Sequence, residues 1–158
     1  MKQKHTILSV LALFAGAFFF AIASYAESTG DAESAWMTDL EAAKAIAKAE
    51  NKPMLVDFTG SDWCMWCIRL DEEVFSKQAF KDFAKENLIL VEIDFPRKKT
   101  QSDELKEKNQ ALAQKYGIRG FPTILILDAE GKVIERTGYR RGGPEKYVEH
   151  LQGILAGL

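Results

Sequence analysis

The stretch GSDWCMWCIRL, residues 60–70, holds both cysteines of the chain, Cys64 and Cys67, each preceded by a tryptophan. Two thiols at this spacing can form a redox couple, supply half of a metal site, or close a small structural staple. The staple contributes little, because so short a loop takes little entropy from the unfolded chain. A zinc site needs a second pair of ligands. The only histidines are His5 and His150, one near each end of the chain, so no metal is expected. A dithiol that cycles with a disulfide is the chemistry the spacing favours.

The N-terminus bears on which redox state is stable. Lys2 and Lys4 precede an apolar run from Ile7 to Ala23, and Ser24 and Ala26 place small residues where a signal peptidase reads them. Residues 1–26 are therefore read as a secretory signal peptide and 27–37 as a polar leader. The alternative is a retained membrane anchor, for which 17 apolar residues are short, since a span needs about 20. The chain is expected in the periplasm or secreted, where a lone cysteine pair tends to oxidise unless something keeps it reduced.

Composition excludes other classes. At 158 residues, 47% hydrophobic and 28% charged, the sequence suits one globular domain, read as 38–158. Its net charge of −2 becomes −4 once Lys2 and Lys4 are removed. Such a domain lacks an electrostatic footprint for nucleic acid. The densest basic run, Arg97 to Lys99, has Asp94, Asp103 and Glu104 around it and reads as a solvated loop.

The elements that must hold the pair follow from periodicity. Thr38 and Glu41 form a capping-box pattern for a helix that runs to Glu50. Pro53 then opens the strand MLVDF, and a helical pattern starts at Cys64, with Ser76 as a cap inside it. LILVEID at 88–94 reads as a buried strand, and ELKEKNQALAQKY as a helix. Residues 123–127 form another apolar strand, joined through AEGK to an antiparallel partner, and Pro144 opens the last helix. Long helical crossovers predict parallel strands, giving a mixed α/β sheet with helices on both faces.

In this frame the cysteines lie just past the carboxyl end of MLVDF, where open α/β sheets place their chemistry. Cys64 in the first helical turn gains unpaired N–H groups and the positive end of the helix dipole. It is expected to be exposed and acidic, with Cys67 shielded. Lowering a thiol pKa from about 8.5 to about 7 raises the thiolate fraction at pH 7 from roughly 3% to roughly 50%. Weaker nucleophilicity returns about fivefold of that, so the net gain in attack rate is only about threefold. The placement acts mainly on redox poise and on leaving-group quality.

VDF, then WCxxC, then YGIRGFPT some 50 residues on, together resemble the thioredoxin superfamily over residues 36–158, and the DFTGSDWCxWC subtype is similar to its small exported bacterial members. The resemblance implies a thioredoxin fold and a thiol–disulfide oxidoreductase without a cofactor. Cys64 would be the nucleophile, Cys67 the resolving cysteine and Asp57 a buried acid that moves a proton for Cys67. It also implies a cis peptide before Pro122, with Trp63, Trp66, Phe121, Pro122 and Gly138 lining the substrate groove. A carboxyl within a buried strand is itself costly, which calls for a role; strand-end hydrogen bonding is the plainer alternative.

The sequence departs from the family pattern in three places. Asp57 lies seven residues before Cys64, one more than usual; Leu90 stands where many members carry a lysine; and Met65-Trp66 replaces the usual intervening pair. Met-Trp supplies no charge, so a strong oxidant is not expected and a reductase is favoured. Protein disulfides are then the substrates, a membrane thiol transporter the electron donor, and the chain a monomer. An oxidase or isomerase, or a non-catalytic module that holds metal or clients, are the rival readings. Only 23 residues separate Asp94 from Ile118, too few for the helical insertion of the periplasmic oxidases.

Overall fold

The computed structural model describes residues 36–157. The signal-peptide reading, His5 and most of the polar leader lie outside them. Among the described residues no helix is long and apolar enough to cross a membrane. Five strands form one sheet in the order β1-β3-β2-β4-β5: β1 (Trp36–Met37), β2 (Met54–Thr59), β3 (Ile89–Asp94), β4 (Thr123–Leu127) and β5 (Val133–Thr137). Helices α1 (Leu40–Glu50) and α4 (Asp103–Lys115) cover one face. The other is covered by α2 (Met65–Leu70), a π-helical turn (Asp71–Phe75), α3 (Gln78–Asn87) and α5 (Gly143–Leu155).

Side chains alternate across a strand, and β2 obeys the rule. Met54, Val56 and Phe58 enter the core beneath α1 and α4, while Leu55 enters the core beneath α2, α3 and α5. Asp57 follows Leu55 by two residues and so points to the same side as the helix that carries Cys67. Its neighbours in register are Glu92 on β3 and Ile124 on β4. The whole of β2 is buried, as the middle strand of a sheet covered on both faces must be.

Four local expectations are corrected. The first helix is capped by Asp39, not Thr38: its Oδ1 accepts the N–H groups of Glu41 and Ala42 at 2.9 and 3.1 Å, while Glu41 pairs with Lys44. A carboxylate one residue along serves the N-terminus better than a threonine. Ser76 closes the π-helical turn, with its hydroxyl on the Glu72 carbonyl, and α3 starts after Lys77. Trp36 and Met37, at the end of the stretch read as leader, pair with β3 as an added edge strand, and Trp36 stacks on Phe75 and Phe80.

The fourth correction concerns direction. β4 runs antiparallel to β2, although a helix connects β3 to it. β3 ends at Asp94, opposite Thr59, and β4 begins at Thr123, opposite Phe58. The 95–122 connection therefore returns the chain to the end of the sheet it left, whereas the parallel rule assumes a helix that carries it to the far end. The side chains of Asn109 and Gln101 donate to the Asp94 carbonyl at 2.8 and 3.2 Å, which ties this connection to the strand it leaves.

Leu125 is fully buried in β4, within the core under α1 and α4. Leu125→Ala is expected to lower unfolding free energy by about 2–5 kcal/mol without changing the urea m-value. Equilibrium urea unfolding with the disulfide intact measures both.

Candidate active site

The loop between β2 and α2 is held from below. Gly60 accepts the N–H groups of Trp63 and Cys64 at 3.1 and 2.9 Å, and the Trp63 indole lies directly over it. A Cβ at Gly60 would fall 2.6 Å from that ring, so only glycine fits. The Trp63 Nε1–H donates to the Phe95 carbonyl at 2.8 Å. Asp94 accepts from both the N–H and the hydroxyl of Ser61, at 2.9 and 2.6 Å. Asp62 accepts the consecutive N–H groups of Arg97, Lys98 and Lys99 at 2.7–2.9 Å. These bonds hold the Asp62 carboxyl below the usual carboxylate range and clasp the cysteine loop to the loop after β3.

Cys64 and Cys67 form a disulfide with Cα atoms 5.2 Å apart. Cys64 is the N-cap of α2, and its Sγ accepts the Cys67 N–H at 3.3 Å. The sulfur nearest the helix start thus receives a backbone donor that would favour a thiolate there. Cys64 is less open than its sequence position suggests: it is 7% exposed against 4% for Cys67. Met65 and Trp66, at 66% and 42%, form the protruding surface instead, because residues at the start of a short helix turn outward while the disulfide folds beneath them.

The Phe121–Pro122 peptide is cis. Trp66, Phe121, Pro122, Tyr139 and Arg141 line a groove of about 390 Å³. Trp63 meets Phe121 edge to face at 6.0 Å, and a Cβ at Gly138 would come within 3.2 Å of the Pro122 carbonyl. The residues expected to line a groove therefore share one side of the molecule. Tyr139, which lines the groove, and Arg69, which packs on its Trp66 and Tyr139 walls, were not legible in the sequence. Their rings and guanidinium stack around Trp66, with Arg69 5.2 Å from its ring centre. Glu73 ties them together by accepting from the Tyr139 hydroxyl and from Arg69. A turn sequence such as TGYRRG gives no sign of that contact.

Behind the disulfide, a cavity of about 320 Å³ is lined by Cys67, Asp57, Thr59, Asp71, Glu92 and Lys99, among others. Asp57 is buried and its Oδ1 has no hydrogen-bond partner. Burial first, and then the carboxylates of Glu92, Asp71 and Asp94, push its carboxyl well above the usual range. Glu92 is raised in the same direction, mainly by burial. Glu92 did carry a signal: it is an acid inside the otherwise apolar LILVEID, as Asp57 is inside MLVDF. His150, the histidine among the described residues, meets Thr137 Oγ1 at 3.1 Å.

Comparison with known proteins places this geometry. A family model described as a thioredoxin-like domain matches residues 40–152. The disulfide bond reductase DsbH of Chlamydia pneumoniae is 43% identical over 109 residues, covering 69% of this chain and 66% of that protein. The thioredoxin-related protein DsbJ of the same organism is 28% identical over 113 residues, covering 72% of this chain but 32% of that one. A solved structure titled DsbH oxidoreductase superposes with a TM-score of 0.72 at 40% identity, covering 77% of this chain and 83% of that one.

The state of Asp57 can be read from stability. Its folded pKa lies above its unfolded value of about 3.9, so the folded chain keeps a proton that the unfolded chain has lost. Stability is therefore full below that value and falls as pH rises towards the folded pKa. Asp57→Leu is expected to remove this loss. Urea unfolding of the two oxidised chains should diverge as pH rises from 4, the variant becoming the more stable; a constant difference would refute the assignment.

Proposed function

This chain belongs to the thioredoxin-like domain family, and on that premise we propose that it is an exported thiol–disulfide oxidoreductase that reduces protein disulfides. The observation that carries the reading is the Cys64–Cys67 couple at the start of α2, with the Cys67 N–H on Cys64 Sγ and the Asp57 cavity behind Cys67. In the reduced chain the Cys64 thiolate attacks one sulfur of a substrate disulfide, forms a mixed disulfide and expels the other sulfur as a thiolate. Cys67 gives its proton to the Asp57 carboxylate and attacks Cys64 Sγ. The second substrate sulfur leaves, two electrons have passed to the substrate, and Cys64–Cys67 is oxidised. The proton on Asp57 and the one lost on forming the Cys64 thiolate balance the two thiols released.

A carboxylate of ordinary pKa is a poor base for a thiol. Burial raises Asp57 and so makes its carboxylate a stronger base than an ordinary one, which makes the transfer less uphill. The shared cavity gives room for water to carry the proton. Groove residues Trp63, Trp66, Phe121, Pro122 and Gly138 take the substrate segment. Phe121 and Pro122 offer backbone to an extended chain, as in strand addition.

Direction and location rest on other supports. The uncharged Met65-Trp66 pair gives a thiolate no cationic neighbour within the motif, and the DsbH relative bears the name of a reductase. The N-terminal 26 residues read as a signal peptide, which sets the work outside the cytosol. A reductase there consumes its dithiol once per turn and needs a donor; a membrane thiol transporter supplies one. The chain works as a monomer.

Equilibration with defined thiol buffers gives the reduction potential of the couple. A value near −270 mV, the thioredoxin end, is expected; a value near −120 mV would make the chain a disulfide donor and reverse the direction. Cys64→Ser should reduce turnover to background, and Cys67→Ser should accumulate mixed disulfides on non-reducing gels. Full turnover by the Cys64 variant would overturn the nucleophile assignment.

A further inference from the structure

The proposed mechanism uses the sulfurs, Asp57 and the groove, and leaves the charge of this face unexplained. Four loops meet at the carboxyl end of β2, covering residues 60–64, 95–102, 116–122 and 138–142. The pairings Thr59 with Asp94, Phe58 with Thr123 and Ile124 with Thr137 bring them together. These loops carry six exposed cations, Arg97, Lys98, Lys99, Arg119, Arg140 and Arg141, and one acid, Asp62. That balance opposes the chain's overall −2.

The one acid offsets a single charge: its carboxylate is held ionised by backbone N–H groups and feels Lys99, which leaves the loops with a clear excess of cations. Among the described residues Lys98, Arg119, Arg140 and Arg141 have no ion pair, and Arg69 is the one arginine that has one. One of the guanidiniums is placed by an aromatic side chain and a second lines the groove. Arg97 lies 3.5 Å from the Trp63 ring centre, and Trp63 packs on Phe121. Arg141 lines the groove on which Phe121 and Pro122 also open. Phe121 thus lines the groove beside Arg141 and packs on the ring that carries Arg97. Of the other acids nearby, Asp71, Glu72 and Glu92 line the cavity behind Cys67, and Asp94 is taken up by Ser61. Glu73 lies beside Tyr139 at the groove, where it is paired with Arg69 and also feels Arg141, so the cations outnumber the acids there without being wholly free of them.

An excess of like charges around one concave site is repulsive and is tolerated on a surface at modest cost. It raises the local concentration of an anionic partner and can speed encounter by about 10- to 1,000-fold at low salt. A guanidinium stacked on an aromatic ring is held ready to take a carboxylate through two N–H groups. We propose that this rim selects acidic substrates: protein segments with Asp or Glu beside the disulfide, seated along Phe121–Pro122 with their carboxylates on Arg97 and Arg141. The proposal rests on the oxidoreductase reading and names its substrate class.

The test uses three disulfide-linked peptides that differ only in whether Glu, Gln or Lys flanks the cysteine. Each rate with the reduced chain is divided by that peptide's rate with dithiothreitol, which removes the effect of flanking charge on intrinsic reactivity. At low salt the Glu peptide is expected to react at least about tenfold faster than the Lys peptide. The gap should close to within about twofold at 1 M salt, where the screening length is about 3 Å. Lys98→Glu with Arg141→Glu should bring the ratio to one or invert it. Equal rates for Glu and Lys peptides at low salt overturn the proposal while leaving the oxidoreductase standing. Failure to reduce any of the three overturns that reading instead. Binding of Ser-for-Cys versions of the peptides then decides the charge preference by itself, and equal affinities overturn it.

Discussion

A carboxyl sits in the middle strand of the sheet, buried, with one oxygen unpaired, and much of the site follows from how the fold tolerates it. A buried acceptor without a partner costs about 1–3 kcal/mol, and an ionised one more. An apolar side chain at position 57 would continue the pattern of Leu55 and would pack as its neighbours do. The fold instead leaves a polar cavity beside the carboxyl and lines it with more acid, which makes ionisation harder still. Local consistency between sequence and structure is broken at one point of an otherwise consistent strand, and it is broken beneath a disulfide. Breaks of that kind concentrate at functional sites.

Around this point the structure is over-determined. The cysteine loop is fixed to the end of β3 and the loop after it through Ser61, Asp62 and Trp63, and the end of β3 is fixed in turn to α4 through Asn109 and to the residues before α4 through Gln101. Cys64 therefore caps α2 in a position set by backbone bonds on both sides of it, so that redox change at sulfur need not reorganise the loop. Met65 and Trp66 project from the surface, Trp66 held against Tyr139 and Arg69. Rigid support under a reacting atom, with exposed aromatic area beside it, suits a site that meets many partners in one geometry.

Much of this could be read from the sequence because buried strands and a CxxC at a strand end are local patterns. The three apolar strands, the last hairpin and the helix after Pro144 stand where the periodicity puts them. What escaped was set by tertiary contact. Two residues at Trp36 cannot show a period, and they form a strand only because β3 has a free edge. The direction of β4 depends on where a 28-residue connection ends, which no window within it reveals. Cys64 is buried by its own disulfide partner and by the residues around it, a property of packing and not of helix position. Glu92 faces Asp57 through strand register, and register is invisible until the two strands are paired.

The charges of the site divide by depth. The acids that can exchange protons lie behind Cys67, in a cavity that Lys99 alone among the loop cations also lines; the other loop cations lie in front, where a partner arrives. Between them the intervening dipeptide Met65-Trp66 carries no charge. A cation inside the motif would stabilise the thiolate and shift the couple towards the oxidising end, so tuning recognition there would also retune potential. With the guanidiniums placed on loops beyond the aromatic walls, partner selection acts over several ångströms of solvent and is screened by salt. Proton handling in the buried cavity is screened far less. The two tasks therefore respond to different substitutions and different conditions, which lets one fold change its partners without resetting the electron balance on which turnover depends.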